Sequence, residues 1–361
     1  MRIVLDARKY FDFGIGTYIQ NLIPYVGSHS DLVLLLATND ADRITLPSSI
    51  QKIINSSGKY SLRELRSIAR DANRMKADVF HSPHYTTPFG LKMPCVTTIH
   101  DIVHVRGREY FPYPKRVYAR TMISHAYRSS AAIIVDSEFT KQELLDLFPV
   151  HEVPVHVIHL GVSSMYSAKY SEISIQEFRN KYHLTKPTIL YTGSLKPHKN
   201  VGVLIRAFAH MKQRSDLQLA FSGESITQKK NLWKLIKENK LTKDVVEIGQ
   251  VSRGELALAY RAASVVVLPS LYEGFGFSVL EAMASGVPAI GARAGSIPEV
   301  MGGGGILFDP HSVEDLTSAL EKILNDTEYR SAIIKKGYKN IERFSWDTCA
   351  GQTFKIYEDI A

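Results

Sequence analysis

Two glutamates eight residues apart, Glu273 and Glu281, bracket a glycine-flanked turn in the run PSLYEGFGFSVLEAMASGVPAI at 269–290. A carboxylate accepts hydrogen bonds from hydroxyl groups and repels phosphate. Gly274 and Gly276 let the backbone come close to a ligand, and a helix starting near Ser278 would offer unpaired N–H groups and its positive dipole end to a phosphate. Glu273 then suits one hydroxylated ring, and Glu281, two helical turns on, suits a second. Two polyol rings flanking a diphosphate describe a nucleotide sugar, held in a cradle that needs no metal ion. On these residues alone, the alternative is a glycine turn and a helix with two solvated glutamates.

Lys199 is the candidate cation. It lies in YTGSLKPHKN (191–200), between a strand and a helix, in a turn shaped by Gly193 and Pro197, where an ammonium would neutralise a leaving diphosphate. His100 ends the strand pattern VTTIHD, which puts its imidazole at a carboxyl-end position. Asp101 would orient His100 or cap a turn, as Ser137 and Glu138 would in VDSEF. The segment HDIVH has aspartate where a helical zinc motif needs glutamate, so no metal site is expected, and His81, His84 and His104 read as loop or packing residues. In FGIGTY, Gly14 and Gly16 suggest a loop touching donor phosphate or acceptor, or a structural turn. Ile19 stands where a dinucleotide fingerprint would need its third glycine or alanine.

These residues need strands to present them. MRIVLDA, DLVLLLAT, CVTTIH and AAIIVDS read as strands in the first half, and TILYTG, LQLAFSG, DVVEIG and SVVVLP in the second, each separated by helical patterns. Val265 to Leu268 form an unbroken aliphatic stretch that reads as a buried parallel strand ending at Pro269. The expected class is α/β, with two facing, doubly wound, Rossmann-like parallel sheets sharing one cleft at the strands' carboxyl ends. A chain of 361 residues exceeds the size of one core. The expected domains are 1–162 and 175–345, joined by a serine- and tyrosine-rich linker at 163–174.

The run EGFGF followed by LEAMASGVP resembles the Glu-x7-Glu signature of retaining glycosyltransferases of family GT4, which have the GT-B fold. The similarity continues, in the family's order, through YTGSLKPHKN, FSGES (221–225), IGQVSRGELALAY (248–260) and GSIPEV (295–300). It is looser through FGIGTYIQNL, VTTIHDIVH, VDSEFTKQEL and VIHLGV in the first half. The resemblance implies donor binding by Gly193, Ser194, Gly223, Gln250, Val251, Gly274, Phe275, Gly276, Phe277 and Glu281. It implies catalytic roles for His100 near the donor sugar, Lys199 and Glu273, and a terminal helix at about 346–361 that returns to the first domain. The family often has arginine just after the glycine, where this chain has Ser194; Lys196 and Arg206 are candidate replacements for that charge. The implied reaction moves a hexose, with mannose and glucose favoured, from a nucleotide sugar to a glycan or lipid-linked acceptor of the cell envelope or an exopolysaccharide. It would retain anomeric configuration and use neither cofactor nor metal. Two alternatives stay open: another GT-B enzyme such as a phosphorylase or epimerase, and a catalytically silent nucleotide-sugar sensor.

Composition narrows the partners. The net charge of +8 is shared evenly, with 19 Lys+Arg against 15 Asp+Glu in residues 1–160 and 25 against 21 in the rest, so neither half reads as a nucleic-acid arm. The two cysteines, Cys95 and Cys349, are too few for a disulfide framework. With no run of 18 apolar residues, the expected location is cytoplasmic. Arg63, Arg66, Arg70 and Arg74 fall on one helical stripe, either a solvated face or a contact with anionic membrane at the inner face of the plasma membrane. Acceptor contacts are expected around 10–18, 81–90 and 102–116.

Overall fold

The computed structural model describes residues 1–57, 62–149 and 153–361, without the side chains of Leu62 and Arg63. The chain forms two compact units, one of residues 1–161 and 345–361 and the other of residues 162–344. Residues 163–174, expected as a linker, group with the second unit and contain the helix Ser164–Ser167 and the start of the helix Glu172–Lys181.

The first unit is built on seven parallel strands: β1 (Arg2–Asp6), β2 (Asp31–Ala37), β3 (Gln51–Asn55), β4 (Val79–Ser82), β5 (Cys95–Ile99), β6 (Ala132–Val135) and β7 (Val155–Val157). Their order is β3-β2-β1-β4-β5-β6-β7. Helices on both faces bury the strands, so the central ones read as continuous aliphatic runs, with Leu32 to Leu36 all at most 1% exposed. The C-terminal helix Trp346–Ile360 packs against the helix Phe13–His29 in this unit. Its Ser345 caps the first turn.

The second unit has six parallel strands: β8 (Thr188–Gly193), β9 (Gln218–Gly223), β10 (Val245–Gly249), β11 (Val265–Leu268), β12 (Ala289–Ala292) and β13 (Ile306–Phe308). They run in the order β10-β9-β8-β11-β12-β13. In each sheet the chain winds outward and then returns to the other side of its first strand. The reversal opens a crevice between β1 and β4 in one sheet and between β8 and β11 in the other, where ligands bind in doubly wound folds.

Candidate functional site

The segments leaving β8 and β11 therefore meet at the reversal point of the second sheet. The Lys199 ammonium lies 2.7 and 2.8 Å from the two carboxylate oxygens of Glu273, and the Ser270 hydroxyl donates to the same carboxylate at 2.7 Å. Both charged side chains keep a solvent-facing edge, 20% exposed for Lys199 and 13% for Glu273. Ser296 donates to the carbonyls of Glu273 at 3.1 Å and Phe275 at 3.0 Å, tying down the backbone of the glycine turn. Gly276, at φ 98°, takes a left-handed conformation that turns the chain into the helix Phe277–Ala284. No side chain caps that helix start, so its dipole end is presented by backbone alone. Glu273, paired with Lys199, thus lies four residues before the helix start that backbone amides alone present.

Some expected donor residues do other work. Phe275 is 4% exposed and packs its ring on Phe277 and Phe344, so any contact it makes with a ligand comes from its backbone. Gly223 has φ 114°, and a side chain there would collide with the Gly193 carbonyl; its first role is the close approach of the ends of β8 and β9. Ser194 is held through its carbonyl, which accepts from the Tyr191 hydroxyl at 2.5 Å. Gln250 and Val251 occupy the loop between β10 and the helix Arg253–Ala262, whose capping box joins Ser252 and Glu255. Of the candidate substitute cations, Lys196 lies within electrostatic range of Glu224, and Arg206 is exposed beside Gly202.

Glu281 sits in a cage of tyrosines. Tyr260 donates to it at 2.6 Å, the Tyr166 hydroxyl lies within interaction range of it, and Thr192 meets the Tyr260 hydroxyl at 2.9 Å. Burial raises the Glu281 pKa above the usual carboxylate value, against the lowering effect of the two phenols and Arg253.

In the first unit, His100 follows β5 and Asp136 follows β6. His100 Nδ1 lies 2.7 Å from Asp136 Oδ2. Burial works against protonation, but the adjacent Asp136 outweighs it and raises the His100 pKa, with Asp101 and the Pro83 carbonyl adding to the effect. Asp101 itself accepts from the Val103 amide at 3.0 Å, capping a turn, and Ser137 caps the helix Glu138–Leu147. The orienting carboxylate is thus Asp136, which the sequence analysis missed; its signal was an acidic residue ending the neighbouring strand run AAIIVDS. His81 lies in β4, with its nitrogens 2.5 Å from the Tyr357 hydroxyl and 2.8 Å from Thr98, and burial lowers its pKa to about 3. Gly14 and Gly16 fall in the first turn of the helix Phe13–His29, where a loop was expected. A side chain at Gly16 would strike the Tyr10 carbonyl.

Among the described residues, no group of three or more His, Cys, Asp or Glu side chains could hold a metal ion. No helix there is long and apolar enough to cross a membrane. Arg66, Arg70 and Arg74 are exposed, with Arg70 and Arg74 3.5 and 3.8 Å from Asp71; the Arg63 side chain lies outside the described residues. Both cysteines are buried, and burial pushes the Cys95 thiol up to about 12.

Comparison with known proteins gives the family and the fold. Residues 14–164 match the family Glycosyltransferase Family 4, and residues 174–340 match Glycosyl transferases group 1. O-antigen chain mannosyltransferase B of Escherichia coli is 30% identical over 302 residues, covering 83% of this chain and 79% of that protein. MMP alpha-(1->4)-mannosyltransferase of Mycolicibacterium hassiacum is 29% identical over 318 residues, covering 83% of this chain and 74% of that protein. Sucrose-phosphate synthase of Thermosynechococcus elongatus superposes with a TM-score of 0.83 at 20% identity, covering 99% of this chain and 98% of that one. Anabaena HepE in complex with UDP-glucose gives 0.81 at 19% identity, covering 99% and 100%. Two parallel-sheet domains with these relatives identify the chain as a glycosyltransferase of family 4, with the GT-B fold.

Proposed function

We propose that this glycosyltransferase moves a hexose, mannose first and glucose second, from a nucleoside diphosphate sugar to a glycan or lipid-linked acceptor, with retention of anomeric configuration and without a metal ion. The observation that carries the reading is the convergence of Lys199, Glu273 and the uncapped start of the helix Phe277–Ala284 at one sheet reversal. Lys199 and the helix dipole supply the positive charge that a leaving diphosphate needs, in place of a divalent cation. Glu273 accepts hydrogen bonds from sugar hydroxyls, and Glu281 from the ribose. His100, held by Asp136, is assigned to the donor sugar by its resemblance to the family's histidine. Preference for mannose rests on the two mannosyltransferase relatives, and that for glucose on the HepE complex.

Glu273 is assigned to the sugar hydroxyls and not to covalent attack, its carboxylate being held by Lys199 and Ser270. Same-face attack, with the leaving phosphate taking the acceptor's proton, fits this arrangement. The test is a panel of UDP-, GDP-, dTDP- and ADP-sugars, scored for binding and slow hydrolysis with and without EDTA. Hydrolysis of one donor that persists in EDTA is the expected result. Activity abolished by EDTA and restored by a divalent cation would overturn metal independence, and binding without transfer or hydrolysis across acceptor pools would indicate a sensor.

A further inference from the structure

The chain enters the second unit at Val162, and four residues later Tyr166 is 5% exposed. That burial is unexpected in a serine-rich connection. Three contacts account for it. Its hydroxyl lies within interaction range of the Glu281 carboxylate. Its ring meets that of Tyr260 edge to face, with centroids 5.5 Å apart and planes at 89°. The Arg261 guanidinium donates to the carbonyls of Tyr166 and Ala168, each at 3.0 Å. Consecutive residues of the helix Arg253–Ala262 thus hold this segment, one by its ring and one by its backbone.

We infer that Tyr166, acting with Tyr260, is a positioning residue of the donor site that fixes the Glu281 carboxylate for the ribose hydroxyls of the nucleotide. The inference rests on the reading of Glu281 as the ribose anchor. A carboxylate has about four lone-pair sites. The Tyr260 phenol occupies one of them at 2.6 Å, and the Tyr166 phenol beside it, packed on the Tyr260 ring, confines the side chain to one orientation, leaving the remainder for a diol. Tyr260 is itself oriented, because its hydroxyl also meets Thr192 at the end of β8. The groups acting on Glu281 are these two neutral phenols and the charged Arg253, which all favour the carboxylate against burial. Removing a phenol loosens the rotamer and lets the carboxyl keep its proton to a higher pH.

The test is calorimetric binding of UDP and GDP, and of their 2′-deoxy and 3′-deoxy counterparts, to the wild type, Tyr166→Phe, Tyr260→Phe and Glu281→Gln. Phenylalanine keeps the ring packing, so Tyr166→Phe stays folded, with its melting temperature lowered only by the loss of one polar contact. The expected result is a loss of about five- to tenfold in affinity for the ribose nucleotide, within the net range of one ordinary hydrogen bond. The loss should largely vanish for the deoxy analogue whose missing hydroxyl Glu281 would have bound, and the acid limb of the binding profile should move to higher pH. Equal losses for ribose and deoxyribose nucleotides, or none, would overturn the inference. If Glu281→Gln weakens the ribose nucleotide while Tyr166→Phe does not, only the role of Tyr166 falls. If Glu281→Gln binds as wild type, the ribose-anchor reading falls and takes the inference with it.

Discussion

Replacing Lys199 by methionine separates the two duties its ammonium performs. In the resting protein it faces both Glu273 oxygens at 2.7 and 2.8 Å. At an effective dielectric of about 20, two unit charges at that distance attract by about 6 kcal/mol. Desolvation offsets most of this, and partial exposure of both side chains reduces the net cost of the substitution to about 1–2 kcal/mol. That corresponds to a fall in melting temperature of about 2–8 °C for a unit of this size. Glu273→Gln alone should also destabilise, by leaving the lysine unpaired. The double variant Lys199→Met/Glu273→Gln should melt above the sum of the single effects, because no orphan charge remains. Catalysis should show no such recovery. Loss of a cation that binds the departing diphosphate more strongly than the bound donor lowers kcat about a hundredfold, with KM changed by less than about threefold. Steady-state kinetics with the preferred donor, alongside thermal melts of all four proteins, check both halves. An unchanged kcat with a raised KM would refute the transition-state role, and strictly additive melting shifts would refute the coupling.

Four further outcomes are expected. Asp136→Asn should lower the His100 pKa, which NMR titration would read. A raised folded pKa stabilises below the unfolded value of about 6.5 and loses that contribution as pH rises through the folded value, so the wild type's advantage in unfolding free energy should be larger on the acid side of neutrality and shrink in alkali, until at still lower pH Asp136, whose own pKa burial raises, takes up a proton and the advantage fades. His81 behaves oppositely: with a folded pKa of about 3, the unfolded chain binds the extra proton, so stability falls by up to about 1.4 kcal/mol per pH unit below about 6.5. His81→Gln should flatten that slope in urea denaturation measured between pH 7 and 5. Gly223→Ala should cost about 2–4 kcal/mol, because it combines a left-handed φ with a backbone collision, and denaturant midpoints would show it. Ser296→Ala should cost about 1–2 kcal/mol and weaken donor binding, by freeing the Glu273 and Phe275 carbonyls that shape the turn.

Much of this protein is legible in its sequence. Unbroken aliphatic strands such as Val265–Leu268, alternating with helical patterns, announce buried parallel sheets, because a strand covered on both faces has no polar side to show. The glycine turn before a helix is a local pattern, and the helix Phe277–Ala284 begins one residue before the expected start; Glu273 lies in the turn ahead of it, so only Glu281 is carried on the helix. Short strands such as β4 and β13 escaped notice, since three or four residues carry little periodicity. Whatever depends on two segments meeting was decided by tertiary structure. Asp136 holds His100 because β5 and β6 are neighbours in the sheet, a relation set by strand order across 36 residues of chain. Lys199 meets Glu273 because β8 and β11 flank the reversal point, which places their carboxyl ends side by side although 74 residues separate them. Tyr166 looked like part of a spacer, and only the packing of the helix Arg253–Ala262 against it brings its hydroxyl to Glu281. Local propensity and periodicity select elements; hydrogen bonds between distant side chains follow from sheet order, which no single segment encodes.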